Sequence, residues 1–117
     1  MPAVFTTNQS GSGSAAAVDA TTGATVDARH SLRAGDYVAL FLTGLGATTN
    51  VNGFAVANQK PSVTIGGADC PVSYAGRVPG IAGLDQINCI VPAVSGTQNV
   101  IVTSGGRQSN VTTVAIE

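Results

Sequence analysis

The sequence predicts an all-β protein, a single antiparallel β-sandwich of about seven to nine short strands. Three observations carry this. Turn signals built from Gly, Asn, Pro and Ser recur about every ten residues. The segments between them are rich in Val, Thr and Ile, which suit a pleated, half-buried surface. No segment sustains an apolar period of about 3.6 residues, so essentially no α-helix is expected. A chain of 117 residues is long enough for one domain around one core. Residues 1–117 are therefore read as one domain, with 1–14 as an extended segment and a Gly/Ser loop.

The elements follow in order. Residues 3–7 are a short extended segment, and NQSGSGS at 8–14 is a loop. Residues 15–19 and 24–27 flank a Thr-Thr-Gly turn and form a small hairpin. Residues 31–36 carry turn signals. Tyr37–Thr43 (YVALFLT) is nearly all apolar, as a strand buried on both faces would be. Gly44-Leu45-Gly46 ends it. Residues 47–60 are the most loop-like part of the chain, with Phe54 expected to pin the loop to the core. Residues 61–65 form a strand that ends in the tight turn Gly66-Gly67, and residues 70–75 return from it. Residues 84–91, 97–103 and 108–116 supply the last strands, with Gly105-Gly106 as the final turn. VTIGG at 63–67 and VTSGG at 102–106 are read as recurring turn chemistry, not as a repeat.

The stretch from Val63 to Pro92 also holds both cysteines. With Tyr74 opposite Asp85 and Val72 opposite Ile87, Cys70 falls opposite Cys89. Directly opposed residues of antiparallel strands have Cβ atoms about 4.5–5.5 Å apart, close to the separation that a disulfide spans. The expectation is a hairpin disulfide Cys70–Cys89, hence an oxidising compartment. MPAVFTTNQS lacks the charged and apolar regions of a signal peptide. The chain is accordingly read as a domain of a longer exported protein; the alternative is a cytosolic protein with two free thiols.

Composition narrows the function. Charged residues are only 9 % of the chain and the net charge is −1, against roughly 25 % charged residues in an average soluble protein. Arg29, Arg33, Lys60, Arg77 and Arg107 are scattered, which argues against nucleic acid. The longest apolar run, from Tyr37 to Leu42, is too short to span a bilayer. Low net charge leaves little repulsion between copies.

AVFTTNQSGSGSAAAVD, RAGDYVALFLTGLGATT, VTIGGADCPVSYAG, PGIAGLDQINCIVPA and VIVTSGGRQSNVTTVAIE occur in the order seen in the Solibacter-type uncharacterised C-terminal domain, which the chain resembles over nearly its whole length. TGLG and the GLDQIN–VP segment are its most specific parts. The resemblance implies an immunoglobulin-like sandwich, similar to IPT/TIG modules, at the end of large secreted or surface proteins of acidobacteria and relatives. It implies no enzymatic activity and no ligand. The family usually has small or aliphatic residues where this chain has Cys70 and Cys89, and often Tyr where it has Asp85.

Residue by residue, little chemistry emerges. Cys70 and Cys89 lack the spacing of a redox or zinc motif, and His30 alone could join them. His30 with Ser31 and Asp27 or Asp36 does not resemble a nucleophile elbow. Asp19, Asp27, Asp36, Asp69, Asp85 and Glu117 show neither a carboxylate pair nor a calcium-loop pattern. Lys60, the sole lysine, could form an internal isopeptide bond only with a buried acid assisting. Gly44-Leu45-Gly46 and Gly11-Ser12-Gly13 lack the helix and Lys of a phosphate loop. Asn110-Val111-Thr112 is a glycosylation sequon only in a host with that machinery. Phe5, Tyr37, Phe41, Phe54 and Tyr74 are expected mostly in the core.

These readings converge on a non-catalytic structural or adhesive module of an extracellular or cell-surface bacterial protein, without cofactor or metal. Its expected partner is protein, including copies of itself. Pro2, Ala3, Val4, Phe5 and Thr6 form the candidate strand-addition segment, pairing in trans with a neighbour's sheet edge. The alternative is a carbohydrate-binding module, which requires Phe54 or Tyr74 exposed beside Asn or Asp side chains in a groove.

Overall fold

Alternating side chains along two long strands divide this chain between two sheets. The structure, a computed structural model, describes residues 3–6, 15–20, 26, 31–46, 48–51, 53–78 and 84–117. In chain order its strands are β1 (Ala3–Val4), β2 (Ala17–Asp19), β3 (Tyr37–Thr43), β4 (Thr48–Val51), β5 (Phe54–Ala57), β6 (Ser62–Ile65), β7 (Ala68–Asp69), β8 (Val72–Arg77), β9 (Asp85–Ile90), β10 (Gly96–Ser104), β11 (Arg107–Gln108) and β12 (Thr112–Ile116). No helix occurs among the described residues. The large sheet runs β1-β3-β9-β8-β5-β4, with β2 also on β3; the small sheet runs β11-β10-β6-β7, with β12 also on β10. Every strand pair is antiparallel. The fold is the expected all-β, immunoglobulin-like antiparallel sandwich.

The core lies between the sheets and is built of aliphatic side chains with the two cysteines, and no aromatic ring enters it. The large sheet turns Val38, Leu40, Leu42 and Ile87 inward, and the small sheet contributes Val63, Ile65, Val100 and Val102. Each such side chain contributes roughly 1.5–3 kcal/mol by leaving water. Leu32 closes one side through a parallel bridge to Ile116. Asn110 ties the sheets together: its Oδ1 accepts from Val4 N at 2.8 Å and its Nδ2 donates to Val4 O at 3.0 Å.

Five expectations are corrected. Among the described residues the strand count reaches twelve because several pairings last only two or three residues. Residues 47–60 are not mainly loop: β4 and β5 pair from Thr48↔Ala57 to Val51↔Phe54. Asn52-Gly53, the strongest two-residue hairpin signal, was legible there. Gly53 has φ +87°, a left-handed conformation that glycine adopts without strain, and its N–H donates to Asn50 Oδ1 at 3.0 Å.

The return from Gly66-Gly67 is the two-residue β7, not residues 70–75. The chain then leaves the small sheet at Cys70-Pro71 and enters the large one as β8. VTIGG and VTSGG are more than recurring turns, since β6 and β10 pair with each other through Val63↔Val102. Cys70 N donates to Val63 O, and Ser109 N donates to Val102 O, in matching positions. Two similar hairpins thus face one another about a local two-fold axis.

The cysteine register changes with that crossing. Val72, not Cys70, lies opposite Cys89, and a bulge between Val72 and Tyr74 places Tyr74 opposite Asn88 and Ala75 opposite Ile87. Cys70 sits before the strand, where its Sγ donates to Ile90 O at 2.9 Å. Both thiols are buried and free.

Candidate functional site on the outer face of the large sheet

The period of two along each strand determines what the large sheet shows to solvent. With Val38, Leu40 and Leu42 inward, β3 turns Tyr37, Phe41 and Thr43 outward, and Ala39 lies on the same face but is buried by its neighbours. Register extends that face sideways: Phe41 lies opposite Gln86 and Ala39 opposite Asn88. Tyr74 lies opposite Asn88, Gly76 opposite Gln86, Val56 opposite Gly76, and Phe54 opposite Val51. Phe5 joins beside Phe41, to whose carbonyl its N–H donates at 3.0 Å.

All five aromatic residues of the chain therefore share this outer face. None is buried; Phe5, Tyr37 and Phe54 are 43 %, 46 % and 50 % exposed. The expectation that most would be core is overturned, including Phe54 as a pin for its loop. The reason is size: the space between the sheets is filled by aliphatic side chains that alternate in phase on both.

One corner is locally organised. Phe54 and Tyr74 meet edge to face, with ring centroids 6.1 Å apart and planes at 72°, the geometry that aromatic quadrupoles favour. Tyr74 Oη donates to Arg77 O at 2.9 Å, which fixes the ring's far end. Gly76 lets β5 approach: a Cβ built there would stand 2.2 Å from Ala55 O. Gln86 Nε2 donates to Asn88 Oδ1 at 2.8 Å, so two amides hold each other beside the aromatics. Away from Gly76 the strands diverge and leave a shallow pocket of ≈ 320 Å³, lined by Val56 and Ala57 on one side, residues 72–75 on the other, and Lys60.

The other candidate residues do not converge. Asp36 Oδ2 accepts from Arg33 N at 2.9 Å within a turn, and Asp85 Oδ2 accepts from Leu45 N at 3.1 Å to hold the TGLG loop. Glu117 pairs with Arg33 in an exposed contact, the kind worth little to stability. Asp27, Arg29 and His30 lie outside the described residues. Among those described, no three His, Cys, Asp or Glu side chains gather as metal ligands would. Asn110, the sequon residue, uses its amide on Val4.

Cys70 and Cys89 are neighbours across the crossing. The Cys89 thiol is pushed far above its ordinary value, first by its hydrogen bond with Cys70, then by burial, then by the negative potential of Cys70 and Asp69. It stays protonated and is a poor nucleophile. The strand-addition segment is engaged within its own chain: Ala3 pairs with Thr43 and Val4 with Leu42, and Thr6 bridges Ala15. Pro2 lies outside the described residues.

No family model, curated protein or solved structure matches the chain.

Proposed function

We propose that this chain is a non-catalytic structural or adhesive module of an extracellular or cell-surface bacterial protein, and that it works by contact through the outer face of its large sheet. One observation carries the reading: every aromatic residue lies on that face and none in the core. An exposed apolar patch of this kind marks an interaction surface. Aromatic residues supply large contact area at little conformational cost, which is why interfaces enrich them. The resemblance to the Solibacter-type family implies the same class of module.

Self-association, in this reading, moves from the N-terminal segment to the opposite edge. Residues 3–4 are already paired on β3, whereas β4 ends the sheet. Its sequence, Thr-Thr-Asn-Val, carries no charge and no proline, the devices that usually blunt an edge. An added strand there would continue the ladder beside Phe54. The neighbouring buried thiols fit export, where an oxidising compartment would close them into a disulfide.

Light scattering across a wide concentration range tests this. The expected result is concentration-dependent association, weakened by Val51→Lys at the β4 edge and by Phe54→Ser on the face. A strictly monomeric protein at the highest soluble concentration overturns the self-association reading.

A further inference from the structure

The pocket between β5 and β8 has a chemistry that the flat face beside it lacks. Its walls are apolar at Val56, Ala57, Val72 and Ala75, with the Tyr74 ring, the Ser73 hydroxyl and Lys60 added. Ser73 is exposed, and its Oγ also reaches Asn88 O at 3.2 Å. At ≈ 320 Å³ the pocket is at the small end of ligand sites, which run from roughly 300 to 1,000 Å³. That suits one ring-sized group, not a peptide. Just outside, Phe54 stands edge to face with Tyr74 and offers a second exposed ring.

Lys60 sets the charge of the ligand. It is the chain's sole lysine, and among the described residues no carboxylate pairs with it. The central amides Gln86 and Asn88 bring no charge to the neighbouring face. A cation at the edge of an otherwise uncharged pocket favours one negative group, not a polyanionic track. A sugar ring has an apolar C–H face that stacks on an aromatic side chain and a hydroxylated rim that hydrogen-bonds. A hexuronate adds one carboxylate to such a ring.

We propose that this pocket binds a single hexuronate residue of an acidic polysaccharide. Its ring lies against Tyr74, its carboxylate meets Lys60, a hydroxyl meets Ser73, and the adjoining sugar residue contacts Phe54. The inference rests on reading the outer face as a contact surface and names the partner of one corner of it.

The test is a titration of the whole chain, followed by amide NMR shifts and calorimetry. The probes are oligogalacturonates and oligomannuronates, a neutral cello-oligosaccharide of equal length, and polyglutamate. The expected result is saturable binding of at least one oligouronate, with shifts centred on residues 54–57 and 72–76 and weakening at high salt. Lys60→Gln should reduce uronate affinity about tenfold, the loss of one charge-assisted hydrogen bond, and Lys60→Arg should retain most of it. Lys60 is exposed, so these variants should fold; Tyr74→Phe keeps the ring and tests the hydroxyl separately. Binding of none of the oligouronates overturns the proposal. So does equal binding of the neutral oligomer with no effect of Lys60→Gln, or equal binding of polyglutamate. A protein that self-associates but ignores uronates loses this inference alone, whereas a monomer that binds them loses only the self-association reading.

Discussion

Gly76→Ala is the sharpest single perturbation of this fold. A Cβ at that position would lie 2.2 Å from Ala55 O, 2.8 Å from Tyr74 Oη and 3.0 Å from Val56 Cα. The tyrosine can swing aside, but the carbonyl and the Cα belong to the β5 backbone. Ordinary contact begins at 3.4 Å, so β5 must withdraw by about 1 Å from the position that its ladder sets. Val56↔Gly76 is the register pair joining β5 to β8, and among the described residues β4 is attached through β5 alone. We expect a loss of about 3 kcal/mol, the upper end for overpacking, and a fall in Tm of about 10 °C. Urea unfolding measures the loss. Amide hydrogen exchange locates it, with the β4–β5 hairpin exchanging faster while β3 and β9 keep their protection. Gly67→Ala is the control: it has open space around it but φ +80°, so it should cost only about 1 kcal/mol through backbone strain. A Gly76→Ala protein within about 0.5 kcal/mol of the parent, with β5 exchange unchanged, would refute the claim that these strands meet so closely.

Oxidative refolding should close Cys70–Cys89, seen as the loss of two hydrogens in the non-reduced intact mass, and stabilise the fold by about 3 kcal/mol through loop closure; alkylation of both thiols after such treatment would exclude the bond. In the reduced protein, the raised Cys89 value means that the unfolded chain loses a proton at alkaline pH which the folded chain keeps. Stability is therefore full below the ordinary thiol range, near pH 8.5, and falls above it by at most about 1.4 kcal/mol per pH unit; Cys89→Ala should flatten that slope in urea melts. Thr112 is fully buried and its hydroxyl has no partner, so Thr112→Val should raise stability by about 1 kcal/mol in the same assay. Asn110→Ala removes both bonds to Val4 and should cost about 1–3 kcal/mol, with early exchange of the β1 amides.

Much of the architecture is written locally. Gly66-Gly67 and Gly105-Gly106 take φ of 61°, 80°, 59° and 78°, and any chain with such pairs between Val/Thr/Ile runs tends to fold back there. Tyr37–Thr43 was legible as a strand to the residue. Two-residue periodicity together with turn chemistry was enough to predict the sandwich. What it could not supply was the choice of face. YVALFLT offers Val38-Leu40-Leu42 on one side and Tyr37-Ala39-Phe41 on the other, and both are apolar. Only packing against Val63, Ile65, Val100 and Val102 selects the aliphatic side for the core and turns the aromatics outward. The cysteine register was hidden for a related reason. Opposition of Cys70 to Cys89 assumes one uninterrupted strand, but Cys70 still belongs to the small sheet's hairpin, and the bulge after Val72 shifts everything that follows. Local chemistry determined where this chain extends and turns; partners distant in sequence decided which side faces water, because a strand's two faces differ only in what comes to lie against them.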